Sequence, residues 1–75
     1  MGVPIPIYCL LNNYECLGFK YGQKIWRNKD HFYTWDFFHG EIEVWSKLGY
    51  HLGAIDPIDG REIKKAKKGR KIDVN

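Results

Sequence analysis

Long apolar runs are missing from this chain. No stretch approaches the roughly 20 residues that cross a bilayer as a helix, so no contact with a membrane is expected. The apolar residues at 4–11, PIPIYCLL, are too few and too interrupted by proline for a signal-peptide core, and no basic residues lead into them. Helical periodicity is scarce as well, whereas period-two alternation and turn residues recur throughout. Cysteine is limited to Cys9 and Cys16. One pair is no disulfide framework, and no Cys-x-x-Cys spacing offers a metal site. A bridge across a hairpin and two buried thiols both fit.

What the chain does have is rings: three Trp, five Tyr and four Phe among 75 residues. That length leaves room for one domain, residues 1–75, with a modest core. Large rings suit a half-buried pleated surface. With the frequent turns they predict a mainly β protein, a small and highly twisted antiparallel meander. A first strand is expected at residues 5–11, entered through Pro4 and Pro6, which suits an edge position. Residues 14–21 read as a strand or a short N-terminal helix, with Gly18 arguing against a long one. Further strands are expected at residues 24–27, 31–36, 41–46 and 50–55, separated by turns, with a loop at 56–60.

The formal charge of +3 conceals an asymmetry. Residues 61–75 carry seven Lys or Arg against Glu62 and Asp73, a net of +5, while residues 1–60 carry a net of −2. Such a block fits either a solvated, frayed terminus or a surface for an acidic partner or a nucleic-acid backbone.

Chemistry concentrates in YTWDFFHGEIE, which places Asp36, His39, Glu41 and Glu43 within eight residues. Residues two apart on a strand share a face, so Glu41 and Glu43 point one way and Ile42 and Val44 the other, toward a core. Taken alone, the two glutamates are also what an ordinary solvated strand surface carries. Asp36 and His39 sit where the preceding strand turns over and reach the same face. His51, in HLGAIDP, is a cross-strand neighbour of this hairpin. Carboxylates beside an imidazole on a rigid sheet supply the base and the acid of metal-free acid–base chemistry. Asp, His and Glu are also metal ligands. The spacing Asp-x-x-His-x-Glu-x-Glu, however, matches no structural zinc pattern. His31 reads as a strand-surface residue.

YTWDFFHGEIEVW, then GYHLGAIDPIDGREIK, then KKGRKI, resemble the C-terminal cytotoxic ribonuclease domain of the ribosomal-RNA-cleaving colicins and cloacin. The resemblance rests on Trp-Asp-x-x-His-Gly-Glu-x-Glu, His-Leu-Gly-x-x-Asp-Pro and a basic end with an arginine, and it covers residues 25–72. Residues 1–23 show none. It implies a twisted antiparallel sheet and one cut in 16S ribosomal RNA at the decoding site. It also implies attack by a ribose 2′-hydroxyl that leaves a cyclic phosphate, with no cofactor and no metal. Glu43 would be the general base, His39 the general acid, and Asp36 the group that orients the histidine. Glu41 belongs to the same motif, and Arg70 would neutralise the phosphate in the transition state. Lys64, Lys65, Lys67, Lys68 and Lys71, with His51, would contact the RNA.

The partners implied are the ribosome and an acidic immunity protein. The setting implied is a larger secreted or contact-delivered toxin that acts in the cytoplasm of a target bacterium. Two departures stand out. The loop at residues 47–50 is one residue shorter than in those colicins, and Phe37-Phe38 replaces a polar pair. Those two rings suit either stacking on bases or burial in the core. Two other functions fit the sequence: a toxin nuclease that acts on transfer RNA by the same chemistry, and a non-catalytic β-module that binds RNA through rings and a basic tail, for which Asp36, His39 and Glu43 are incidental surface groups.

Overall fold

Alternation along the chain becomes a single sheet of six antiparallel strands in chain order. The computed structural model describes residues 2–20 and 22–74. Its strands are β1 (Glu15–Lys20), β2 (Gln23–Arg27), β3 (Phe32–Asp36), β4 (Glu41–Trp45), β5 (His51–Ile55) and β6 (Glu62–Lys65). The meander expected from the turn spacing is therefore the architecture. Among the described residues no helix is long and apolar enough to cross a membrane.

Register sorts the two faces. Trp26 pairs with Tyr33, Tyr33 with Val44, Trp35 with Ile42, and Ile42 with Ile55. Cross-strand partners share a face, so these side chains form one apolar surface centred on Ile42, which is fully buried. Opposite it, Thr34 pairs with Glu43, Asp36 with Glu41, and Ala54 with both Glu43 and Lys64. The polar face is thus built by the same alternation that builds the core.

The apolar face is closed by the N-terminal segment, and here the structure corrects an expectation. Residues 5–11 form no strand. They run as irregular chain into a single turn of 3-10 helix, Leu10–Asn13. Leu11 and Cys9 from this segment enter the core beside Trp26, Tyr33 and Ile42. Tyr14 stacks on Tyr33 with ring centroids 4.3 Å apart. Pro4 and Pro6 have no amide to give a ladder, so the segment attaches by isolated bonds instead. The Val3 amide donates to the Phe37 carbonyl (2.6 Å), Trp35 Nε1 donates to the Val3 carbonyl (2.9 Å), and the Leu10 amide donates to the Pro57 carbonyl (2.8 Å).

Residues 15–20 take the strand alternative rather than the helix, with the register shift between Cys16 and Phe19 falling at Gly18. Tyr21, the last residue of that expected element, lies outside the described residues. Cys9 is buried and Cys16 exposed, and both are free thiols, so no bridge spans the hairpin. The basic end is more ordered than its charge suggested. Its start is β6, an edge strand with every residue exposed.

One turn design is used twice. At residues 36–40, Asp36 Oδ1 accepts from the amides of Phe38 (3.0 Å) and His39 (3.1 Å), and the Gly40 amide donates to the Asp36 carbonyl (2.8 Å). At residues 56–60, Asp56 Oδ1 accepts from Ile58 (2.8 Å) and Asp59 (3.2 Å), and the Gly60 amide donates to the Asp56 carbonyl (3.0 Å). Aspartate closes such turns because its short carboxylate reaches its own backbone. Glycine ends each of them at positive φ, 69° at Gly40 and 76° at Gly60.

Candidate active site

The first of these turns presents His39. While Oδ1 of Asp36 holds the turn, its Oδ2 lies 2.7 Å from His39 Nδ1. Burial opposes ionisation of Asp36. The bonds from the His39 ring, the His39 amide and the Phe38 amide outweigh it, and its carboxyl lies below the ordinary range. An ionised Asp36 takes a proton-bearing Nδ1, which fixes the ring and leaves Nε2 for a ligand. The His39 side chain is 60% exposed, so that nitrogen is reachable.

Glu43 sits deeper, 6% exposed, between two donors. Arg70 Nη1 lies 2.7 Å from its Oε2, and His51 Nε2 lies 3.4 Å from its Oε1. His51 Nδ1 accepts the Lys67 amide at 2.8 Å, so in the neutral ring the proton stands on Nε2 and faces the carboxylate. His51 was expected among the RNA-contacting residues. The structure instead buries it, 6% exposed, edge-on against Trp45, where it braces Glu43 and the basic loop.

Arg70 reaches Glu43 because the tail doubles back. The His51 amide donates to the Arg70 carbonyl (3.1 Å), the Ile72 amide donates to the Gly49 carbonyl (2.9 Å), and Tyr50 bridges Lys71. Gly49 is required there: a Cβ would overlap the Ile72 carbonyl, and its φ is 92°. The Arg70 guanidinium also lies 5.1 Å from the centre of the Trp45 ring, and Trp45 Nε1 donates to Thr34 Oγ1 (2.9 Å). Trp45 was not among the expected site residues, although its place two residues beyond Glu43 puts it on the same face.

Asp36, His39, Glu43, Arg70 and Lys71 line one open cleft of about 680 Å³, together with Phe37, Phe38 and Trp45. Glu41 lies outside its lining. It is nearly buried, and the Lys64 ammonium stands 3.0 Å from its Oε1 without the alignment of a hydrogen bond. Lys65, Lys67 and Lys68 are exposed beyond the cleft. His31 is half-buried, edge-on to Tyr33 and away from this group.

Asp36, His39 and Glu41 bring a possible ligand atom each within 4.8 Å of one another. All three residues already have partners: Asp36 Oδ2 lies 2.7 Å from His39 Nδ1, and Glu41 Oε1 lies 3.0 Å from the Lys64 ammonium. A cation there would compete with the Lys64 ammonium for Glu41. The arrangement has the parts that proton transfer requires: an oriented, accessible imidazole, and a carboxylate held by a guanidinium and a second imidazole.

A family model described as Cytotoxic matches residues 18–73. The chain belongs to this cytotoxic family. Membership agrees with the resemblance to the colicin ribonuclease domain and marks the protein as a toxic nuclease. A search of curated proteins finds no match. The cytotoxic match takes in the whole polar face and the doubled-back tail. It leaves out residues 9–14, which close the core.

Proposed function

We propose that this toxic nuclease is a metal-independent endoribonuclease that cuts 16S ribosomal RNA at the decoding site and so stops translation. The observation that carries the reading is the pairing within one cleft of an Asp36-oriented, exposed His39 with a Glu43 held by Arg70 and His51. Glu43 takes the proton of a ribose 2′-hydroxyl, and the oxygen bonds to the adjacent phosphorus. His39, protonated, gives its Nε2 proton to the departing 5′-oxygen as the P–O5′ bond breaks. The products are a 2′,3′-cyclic phosphate and a free 5′-hydroxyl.

A phosphate entering the cleft competes with Glu43 for Arg70. Its arrival draws the guanidinium from the carboxylate, frees the base, and places a positive charge where the transition state gathers a negative one. Glu41 holds Lys64 beside the Asp36–His39 pair. The exposed Lys65, Lys67 and Lys68, with Lys71, hold RNA backbone without reading sequence. That basic surface suits an acidic immunity protein, and the toxin is delivered within a larger protein to the cytoplasm of a target bacterium.

Mapping of product ends tests the chemistry. The upstream fragment should carry a cyclic phosphate and the downstream one a 5′-hydroxyl. His39→Ala and Glu43→Ala should each slow cleavage by about 10²–10⁴-fold with the fold retained. A folded double variant that cuts at the wild-type rate would sink the assignment.

A further inference from the structure

The proposed reaction uses the polar wall of the cleft and leaves its aromatic lip unexplained. Phe37 and Phe38 line the same cavity as His39, Glu43 and Arg70. The two rings meet edge to face, centroids 6.2 Å apart at 75°. Phe37 is accounted for in part by packing. A Cβ on Gly2 would overlap its ring, so the N-terminal strap lies directly against it. Phe38 has no such cover and is 81% exposed. Leaving a large ring in water has a cost in a protein with so small a core.

Nor is Phe38 on a loose loop. Its amide donates to Asp36 Oδ1, the next amide does the same, and the preceding carbonyl accepts the Val3 amide. The carboxylate that fixes the Phe38 backbone is the one that orients the His39 ring. Whatever stacks on Phe38 is therefore registered to the proton donor, and the ordering cost of its backbone is met in folding rather than binding.

The cleavage chemistry supplies an occupant. In-line attack needs the 2′-oxygen, phosphorus and 5′-oxygen aligned, a geometry that a stacked A-form helix does not offer. The nucleotides at the scissile bond must be splayed apart, and an unstacked base is recognised by stacking on an aromatic ring. Arg70 and Lys71 line the same cavity and suit the phosphates on either side. An apolar ring beside cations fits a nucleotide, which joins a flat face to an anion.

Resting on the ribonuclease reading, we propose that Phe38, braced by Phe37, is the stacking platform for one unpaired nucleobase adjacent to the scissile phosphate. A ring face stacks on any base, so the platform selects unpaired over duplex RNA rather than one base over another.

The test is cleavage kinetics of the wild type and of Phe38→Ala, Phe38→Leu and Phe38→Trp on an RNA that the wild type cuts. The same RNA is then made with single abasic nucleotides scanned around the cut. Phe38→Ala and Phe38→Leu should raise KM roughly five- to a hundredfold with kcat nearly unchanged, and Phe38→Trp should restore it. At one abasic position the wild type should lose the same factor and Phe38→Ala should lose nothing further. A Phe38→Leu variant as good as wild type overturns the proposal, as does an abasic scan with no position coupled to Phe38. Unchanged RNA kinetics with weakened binding of a protein inhibitor would give the ring to that partner instead. A wild type that cuts RNA independently of Phe38 removes this inference alone, whereas a wild type that cuts no RNA removes the ribonuclease reading with it.

Discussion

Asp36 serves two structures with one carboxylate, because Oδ1 closes the turn and Oδ2 holds His39. The bonds that keep it ionised also tie stability to pH. Its folded pKa is depressed, so the stabilisation is fully present above the ordinary Asp value near 4 and is lost as pH falls through the lower folded value. Denaturant midpoints followed from about pH 6 to about pH 2 should therefore fall for the wild type. Asp36→Asn should be less stable at neutral pH and flatter across that window, and parallel curves would contradict this assignment. His51 shows why a residue can be picked from sequence and still be misplaced. Its strand position was readable, but its burial depends on Trp45 and on the Lys67 amide, which come from two other parts of the chain.

The β3–β4 hairpin was legible because alternation fixes which side chains share a face, and the Asp-x-x-x-Gly spacing marks its turn. Two elements were not legible. Residues 5–11 alternate like a strand, yet apolar alternation states only that one side is covered. Here the cover is packing against the core, without a ladder. β6 has a single apolar residue, Ile63, so its pattern looks like solvated tail, and its pairing follows from Gly53. A Cβ on Gly53 would stand 2.5 Å from the Lys64 carbonyl, so a side chain there would push β6 away. The N-terminal segment matters most for stability. Leu11 is 1% exposed at the centre of the core, and Leu11→Ala should cost about 2–5 kcal/mol. Against the 5–15 kcal/mol typical of a whole domain, that is a large share. A urea midpoint that barely moves would mean the strap is not part of the cooperative unit.

A net charge of +3 is small, but its placement decides what approaches which face. The tail's charge was plain in the sequence, whereas its return to residues 49–51, which sets Arg70 on Glu43, depends on backbone bonds that no side-chain pattern announces. Exposed lysines that hold phosphates release counterions, so affinity for unpaired RNA should fall linearly on a log–log plot against salt. Lys68→Ala should flatten that slope by about 0.7 without changing which RNA is preferred. An unchanged slope would place Lys68 outside the RNA path. Action of the whole domain on its proposed target is read by incubating the protein with intact ribosomes in EDTA and resolving the RNA on a denaturing gel. One discrete fragment from near the 3′ end of the 16S RNA is the predicted result. Intact 16S RNA, under conditions where the protein remains folded, would contradict it.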